Sequence, residues 1–324
     1  MTTPVDPSAP ASQAARTALA RQMKLSPDVI QQADIQPVQW PDSCLGVPVS
    51  GTMCAMHVVS GYRVTLTAND HRYEVHTNGD GSQLAIVPGP LPSVGALTFT
   101  RQAESDCQTA IVAESAGVTY DACDGAFKTV PFADIAHATE LSQFDALFKD
   151  FLADTPIGYL NFAGQGTQSA SAAEQRSLAE WARLIVDEAI GGRTSAADGL
   201  VLAWHREGGI AGFCDDLSIN AAGQASATSC KGGQAQNLGQ CWLSSSALAQ
   251  LYTWLDGLAR IDVNPPTSTT PDAMTMRWLF DGRGSTTATD KDQQTIEAFA
   301  AQLYAQFGDP AQATTTAGRL MRCQ

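Results

Sequence analysis

Two cysteine pairs with the same spacing constrain the fold of this chain more than any other feature. Cys107 and Cys123 lie 16 positions apart, Cys214 and Cys230 also lie 16 positions apart, and the second pair follows the first by 107 positions. One such pair alone would mean little. Because the same spacing recurs, the sequence predicts one folding unit that is used twice.

The residues that follow each cysteine pair extend this register. Leu141 and Leu248, each in a predicted helix, keep the offset of 107, whereas Phe162 and Phe280 are separated by 118 positions. The difference of 11 positions indicates an insertion, which we place in residues 265–273. Loops accept insertions of this size because the entropy cost of loop closure grows slowly with length.

The expected fold class is α+β. A small N-terminal module of helix plus antiparallel sheet should be followed by two tandem β-β-α-β-β-α repeats with antiparallel sheets. The predicted boundaries are a linker tail at residues 1–11, the N-terminal module at 12–88, and repeat domains at 95–192 and 197–324. Within the N-terminal module, the Ala-Asn-Asp sequence at residues 68–70 predicts a three-residue hairpin turn.

Two local details of the repeats are also predicted. In the first repeat an apolar stripe indicates a single helix, and its members are Leu141, Phe144, Leu147, Phe148, Phe151 and Leu152. The strand after this helix ends in Gly164-Gln165-Gly166, and its counterpart ends in Gly282-Arg283-Gly284. We attribute these glycines to a turn that requires positive φ, in preference to a phosphate-binding loop.

The composition limits the compartment and the class of partner. A net charge of -14 with 19 basic residues argues against nucleic acid. Eight cysteines fit four disulfides, with free thiols as the alternative, and no close C-x-x-C pair suggests zinc. No apolar run is long enough for a transmembrane segment, and the segment after Met1 lacks the apolar core of a signal peptide. We therefore expect a secreted or extracytoplasmic surface-anchored protein whose leader is absent from this chain.

The repeat also narrows the disulfide connectivity. We predict bonds that join Cys107 with Cys123, Cys214 with Cys230, Cys44 with Cys54 and Cys241 with Cys323. Each of the first two closes a short loop and is worth about 3 kcal/mol in the chain-entropy model. The last bond would hold the C-terminal tail beside the second repeat.

No known catalytic signature occurs in the chain. The nucleophile elbow, the H-E-x-x-H zinc motif, the Walker A loop and the G-x-G-x-x-G dinucleotide motif are all missing. Strand alternation places His71 and His76 on opposite faces, so these two histidines should not share a metal. We expect no catalytic residue, no cofactor and no metal site.

The most distinctive local sequence joins the first two strands of the second repeat. It consists of Gly208, Gly209, Ile210, Ala211, Gly212 and Phe213. A tight hairpin with a bulge explains it without any function, whereas a loop that approaches the backbone of a partner explains why glycines are used. The first repeat has Gln-Ala-Glu-Ser-Asp at this place, so the fold itself does not require the glycines. We predict partner binding by these six residues and call residues 208–213 the glycine hairpin.

The second repeat, at about residues 199–308, resembles the emfourin family. These are small bacterial proteins that inhibit thermolysin-like metalloproteases of the M4 type. The resemblance is carried by the Gly-Gly-Ile-Ala-Gly segment at 208–212, the leucine-rich helix after it, and Asp281-Gly282 in a DGG-like turn. Residues 97–192 are similar as a diverged copy. The N-terminal module resembles segments of uncharacterised bacterial exported proteins.

The sequence and the resemblance together suggest an exported bacterial protein-binding protein that is not an enzyme. The resemblance implies an inhibitor of secreted thermolysin-like metalloproteases that occludes the active site with the glycine hairpin. The alternative is a non-inhibitory binding or structural module of the cell envelope. An enzyme of unfamiliar type is a third hypothesis.

Overall fold

The computed structural model of the chain describes residues 8–49, 51–103, 106–121, 126–132, 140–191, 199–231, 233–265, 273–308 and 321–323. These residues form three antiparallel sheets and five α-helices, which confirms the α+β class. The helices are α1 (Ala9–Met23), α2 (Leu141–Leu147), α3 (Ala172–Gly191), α4 (Ser245–Gly257) and α5 (Asp290–Gly308). A short 3-10 helix at Pro27–Val29 follows α1.

The first sheet belongs to the predicted N-terminal module and has the strand order β1-β2-β3-β4. Its strands are β1 (Gln31–Trp40), β2 (Val59–Ala68), β3 (His71–Asn78) and β4 (Leu84–Ile86). Helix α1 covers one face, where Leu19 packs in one apolar cluster with Leu66 and Val75. The predicted hairpin is confirmed, but its turn has two residues instead of three, because Ala68 still pairs with His71. The two turn residues, Asn69 and Asp70, have φ values of 48° and 62°. Both residue types tolerate the positive φ that such a two-residue turn needs.

The two larger sheets share one strand order. The second sheet runs β8-β7-β6-β5-β10-β9, and the third runs β15-β16-β11-β12-β13-β14-β17. The strands of the second sheet are β5 (Ala96–Ala103), β6 (Asp106–Ala113), β7 (Gly117–Asp121), β8 (Lys128–Val130), β9 (Lys149–Thr155) and β10 (Gly158–Gln165). Those of the third are β11 (Leu200–Gly208), β12 (Phe213–Asn220), β13 (Gln224–Ser229), β14 (Gln236–Leu243), β15 (Ile261–Val263), β16 (Met274–Phe280) and β17 (Met321–Cys323). When the third sheet is listed from the other edge, the two orders match strand for strand, except that β17 is added at one edge.

Each larger sheet has four strands before its first helix, two more than the predicted β-β-α-β-β-α pattern contains. The additional strands are β7 and β8 in the second sheet and β13 and β14 in the third. Strand β8 has only three residues, and β13 buries only the small side chains of Ala225 and Ala227. Strands of this kind lack the alternation of large apolar and polar residues by which a strand is recognised.

The prediction of one helix from Leu141 to Leu152 is wrong. Helix α2 ends at Leu147, and Phe148 already has extended φ and ψ of -101° and 143°. The next residues form β9, where Phe151 lies opposite Phe162 of β10 with the ring centroids 5.3 Å apart. Short apolar runs fit helix and strand spacings equally well, and here cross-strand pairing decides the outcome.

The explanation of the Gly-x-Gly segments by positive φ is also wrong. None of Gly164, Gly166, Gly282 and Gly284 is among the described glycines with positive φ. Instead, a Cβ at any of the four would lie within 3.0 Å of backbone atoms near the C-terminal end of α2 or α4. These glycines are therefore required by a close approach between backbones.

The chain divides into two compact units. The first unit contains residues 1–170 and 185–193, and the second unit contains residues 171–184 and 194–324. The first sheet and the second sheet thus belong to one unit, and the division lies within α3. Helix α1 begins at Ala9, inside the segment that was predicted as a linker tail.

Two of the predicted disulfides are present, Cys44–Cys54 and Cys214–Cys230. Cys241 is also disulfide-bonded, and its backbone pairs with that of Cys323, the register that the predicted tail bond needs. Cys123 and residues 266–272 lie outside the described residues, so the predicted bond between Cys107 and Cys123 and most of the predicted insertion at 265–273 fall there. Disulfides persist in oxidising compartments, which favours an extracytoplasmic location. Among the described residues, no helix is both long enough and apolar enough to cross a membrane.

Candidate functional site

The glycine hairpin connects β11 to β12, with Gly208 paired opposite Phe213. Gly208, Gly209 and Gly212 have φ values of 82°, 71° and 61°, which side chains with a Cβ rarely adopt. The Gly212 N–H donates to the Gly209 carbonyl oxygen at 2.9 Å and closes the turn. The three glycines therefore give this turn its shape.

The six predicted residues divide into an exposed tip and a partly buried base. Ile210 is 95% exposed, and Ala211 and Gly212 are exposed beside it. Gly208, Gly209 and Phe213 are half-buried. Only the tip can reach a partner, so Ile210 is the one large side chain that the hairpin presents to solvent.

The start of β16 supports the base of the hairpin. The Gly209 N–H donates to the Ala273 carbonyl oxygen at 3.2 Å, and a Cβ at Gly208 would collide with the same oxygen. Met274, the next residue, is 49% exposed and lies beside Gly209. Ile210 and Met274 are thus two exposed apolar side chains at the same end of the third sheet.

An ion pair beneath the hairpin orders its second strand. The Arg206 guanidinium lies 3.9 Å from the centre of the Phe213 ring, and Arg206 Nε donates to Asp215 Oδ2 at 2.9 Å. Asp215 is 5% exposed, and its other oxygen accepts a hydrogen bond of 2.7 Å from the Tyr304 hydroxyl of α5. Because the charge is paired and hydrogen-bonded, it is stable in a nearly buried position.

The contact between Tyr304 and Asp215 changes the pKa of Tyr304. Burial, and after it the hydrogen bond to the Asp215 carboxylate, together raise the pKa of Tyr304 to about 12. The phenol is therefore neutral at ordinary pH and remains a hydrogen-bond donor.

The Cys214–Cys230 disulfide begins one residue after Phe213. It joins β12 to the residue that follows β13, and the Cys230 N–H also donates to the Cys214 carbonyl oxygen at 2.7 Å. The hairpin is consequently held by β16 on one side and by a covalent bond on the other.

A polar cluster lies just below the hairpin on the sheet face opposite the helices. His205 Nδ1 is 2.7 Å from Asp216 Oδ1, and His205 Nε2 is 3.3 Å from Glu207 Oε2. Arg277 of β16 donates to the other oxygen of Glu207 at 2.9 Å. The two ring nitrogens of His205 point to different carboxylates, so these groups do not converge on one metal ion.

This cluster borders an open groove of about 490 Å³. The groove is lined along β11, β12, β13 and β16, and its polar side chains are His205, Asp216, Ser218, Ser226, Thr228, Asp262, Asn264 and Arg277. A cleft of this size, with both apolar and polar side chains in its lining, can accept a small ligand or a segment of a partner.

The N-terminal module offers no convergent metal ligands among its described histidines. As predicted, His71 and His76 point apart: His71 lies against Phe127, whereas His76 is buried against Glu74. Asp42 lies close to Cys44 and Cys54. Because both sulfurs are in the disulfide, they cannot act as thiolate ligands.

Comparison with known proteins identifies one segment. Residues 12–86 match the model of a family described as a domain of unknown function, DUF8738. The matched segment begins within α1 and ends at the last residue of β4. No curated protein matches the chain, and no solved structure matches it.

Sequence reasoning missed the residues that support the hairpin. Arg206, Asp215, Met274 and Tyr304 were not predicted. If Gly208 is paired with Phe213, Arg206 lies opposite Asp215, two positions further along each strand. Opposite charges at facing positions of two strands favour an ion pair, so this pair could have been predicted from the sequence. Nothing local in the sequence indicates the contact with Tyr304, which is 89 positions from Asp215.

Proposed function

We propose that this protein is an exported protein-binding protein that contacts its partner through the tip of the glycine hairpin. The observation that carries the proposal is the 95% exposure of Ile210 on a turn that is supported on both sides. A large apolar side chain in water gains free energy when a partner's pocket covers it. Because the turn is already ordered, little conformational entropy is lost on binding.

In its most concrete form, the proposal is that the partner is a secreted thermolysin-like metalloprotease. The protein would inhibit it by occlusion, with the hairpin occupying the active-site cleft. The resemblance of residues 199–308 to emfourins supports this form. Support also comes from the Cys214–Cys230 bond, because a covalently restrained loop resists the distortion that cleavage requires.

We also propose that the two larger sheets are copies of one unit. Two observations support this: the strand order is the same in both, and each sheet has a Gly-x-Gly segment against the end of the preceding helix. The glycine hairpin would then be a later feature of the second copy. The proposal is thus that an exported protein contains two copies of one sheet unit and binds its partner through the second copy.

The test is inhibition of a panel of thermolysin-like proteases by the intact chain and by an Ile210→Asp variant. We expect micromolar or tighter inhibition that weakens roughly 30-fold or more in the variant, since loss of a central apolar anchor costs about 2 kcal/mol or more. Val94→Asp is the matched control, because Val94 is 73% exposed and belongs to the other unit. Absence of inhibition across the panel by the intact chain would rule out the protease proposal.

A second candidate function is a non-inhibitory binding module of the cell envelope. The groove beside His205 and Arg277 favours it, because these side chains can hydrogen-bond to a polysaccharide or a peptide that lies along the groove. Co-sedimentation with peptidoglycan that is lost in Arg277→Gln but kept in Ile210→Asp would support this function in place of inhibition.

A further inference from the structure

The first unit contains an open cavity of about 540 Å³ that is separate from the glycine hairpin. One wall is the face of the first sheet opposite α1, and the other wall comes from β9 and β10. The first wall carries Trp40, Arg63, Arg72, Glu74 and His76. The second carries Asp150, Phe151, Leu152, Asn161 and Phe162. Volumes in this range are typical of small-molecule sites.

Part of the first wall is rigid and internally paired. His76 is 2% exposed, stacks on Trp40 with the ring centroids 3.9 Å apart, and contacts Glu74 at 2.5 Å. Its other ring nitrogen is 2.6 Å from the Leu45 carbonyl oxygen. Arg63 Nε lies 3.4 Å from Glu74 and offsets its charge. The carboxylate of Glu74 is therefore already occupied by protein groups.

Two charges at the cavity remain without a partner among the described residues. Arg72 on β3 and Asp150 on β9 are both exposed, and neither side chain forms a hydrogen bond or ion pair with any of those residues. One is a cation and the other an anion, and they belong to opposite walls. A ligand that carries one negative and one positive group complements this pair.

Asn161 is the observation that points most directly to a ligand. It is 7% exposed and lines the cavity, yet its amide forms no hydrogen bond with the described part of the chain. Two residues earlier on the same strand face, the hydroxyl of Tyr159 is buried and also lacks a partner there. The amide atoms of Asn161 are not among the fully buried ones, so they remain open to the cavity, where a polar group of a ligand can bond to them in place of water.

We propose that this cavity binds a zwitterionic amino acid or short peptide with an apolar side chain. Arg72 takes the carboxylate, because a guanidinium pairs with a carboxylate through two parallel hydrogen bonds. Asp150 takes the ammonium group, and the Asn161 amide bonds to a peptide group or to the carboxylate. The Trp40 ring, Phe151 and Leu152 enclose the apolar side chain.

Isothermal titration of the intact chain with the dipeptides leucyl-leucine and alanyl-alanine tests the proposal. We expect binding of at least one dipeptide and a loss of roughly tenfold or more in affinity for Arg72→Gln, since a charge-assisted bidentate pair is removed. Arg21→Gln is the matched control, because Arg21 is exposed on α1, which covers the opposite face of the sheet. Failure of both dipeptides to bind, or an equal loss in the two arginine variants, would overturn the proposal.

Blocked peptides test the two charges separately. N-acetyl-leucyl-leucine lacks the ammonium group, and leucyl-leucinamide lacks the carboxylate. We expect both to bind more weakly than leucyl-leucine, with Asp150→Asn weakening leucyl-leucine but not the acetylated peptide. Equal affinity for the blocked and free peptides would show that the charges play no part and would refute the zwitterion. Arg72 and Asp150 are exposed, so these variants are expected to fold, and circular dichroism verifies this.

Discussion

The Gly-x-Gly segments of the two larger sheets have the same backbone contacts. The Gly166 N–H donates to the Phe148 carbonyl oxygen just after α2, and the Gly284 N–H donates to the Leu258 carbonyl oxygen just after α4, both at 2.9 Å. Carbonyl groups at the end of a helix lack partners within the helix, and these strand ends supply donors nearby. The glycines therefore belong to the scaffold that the sheets share.

The side chain between the glycines differs, and so does the helix that it contacts. Gln165 is exposed and donates to Asp145 of α2 at 2.8 Å, within the same sheet-and-helix layer. Arg283 donates to Glu180 of α3 at 2.5 Å, and Glu180 is fully buried. The residue between the two glycines thus determines which helix the Gly-x-Gly segment contacts. Gln165 bonds only to the preceding helix α2, whereas Arg283 bonds to α3 in the second unit.

The largest expected effect tests the shared scaffold. In Gly282→Ala the new Cβ would meet the carbonyl oxygens of Leu258 and Ala259, which are backbone atoms that cannot rotate away. We expect the free energy of unfolding in urea to fall by about 3 kcal/mol. Gly164→Ala should be destabilised to a similar extent, because its Cβ would meet the Phe148 carbonyl oxygen in the same way.

Gly257→Ala is the control for these substitutions. Gly257 is the last residue of α4, does not have positive φ, and has open space where a Cβ would be. An alanine there should leave stability unchanged or raise it by about 0.5 kcal/mol. If Gly282→Ala and Gly257→Ala behaved alike, the close approach of the backbones would not be what selects glycine.

The next effect tests the difference between the two segments. Removal of the Glu180 carboxylate in Glu180→Ala leaves Arg283 and Arg183 without their buried partner. Loss of one member of a fully buried pair costs about 3 to 5 kcal/mol, but Arg283 is partly exposed and can turn to water, so we expect about 2 kcal/mol. Gln165 occupies the position of Arg283 in the other sheet but is exposed, so Gln165→Ala should change the free energy of unfolding by less than about 0.5 kcal/mol. Equal effects in the two variants would mean that α3 is not held through Arg283.

Features with a strong local signal were predictable from the sequence. The hairpin between β2 and β3, the α+β class, and the Cys44–Cys54 and Cys214–Cys230 bonds follow from turn residues, apolar alternation and cysteine spacing. The end of α2 was not predictable, because Phe151 and Leu152 suit a helix as well as a strand. Their conformation depends on pairing with β10, which is a tertiary contact.

The candidate site was predictable only in part. The three glycines with positive φ indicate the hairpin. Ile210 lies in the turn between them and is exposed, as the prediction of partner binding requires. Phe213 looked equally available, but the Arg206 guanidinium covers its ring. The sequence shows which residues form a turn, whereas the choice of which side chains point outward depends on the strands that flank it.

The smallest expected effect concerns a contact that only the second unit has. Tyr304 bonds to Asp215 beneath the glycine hairpin, whereas the residue 118 positions earlier in α3 is Val186, which has no hydroxyl. Tyr304→Phe should lower the free energy of unfolding by about 1 kcal/mol near pH 8, the value of one hydrogen bond. The pKa of Tyr304 is raised from 10.0 to about 12 in the folded protein, so the neutral phenol favours folding. Its contribution is complete below pH 10.0 and is lost as the pH rises toward 12.

The measurement is the difference in unfolding free energy between the wild-type chain and Tyr304→Phe, taken from near pH 8 upward. Other tyrosines with raised pKa values, such as Tyr73, are present in both proteins and cancel in this difference. We expect the difference to decline steadily above pH 10, the unperturbed value for the phenol. A difference that stayed constant through this range would show that folding does not raise the pKa of Tyr304, although burial beside Asp215 requires it to. The support of the glycine hairpin by α5 would then rest on packing alone, and the two units would be more alike than their polar contacts suggest.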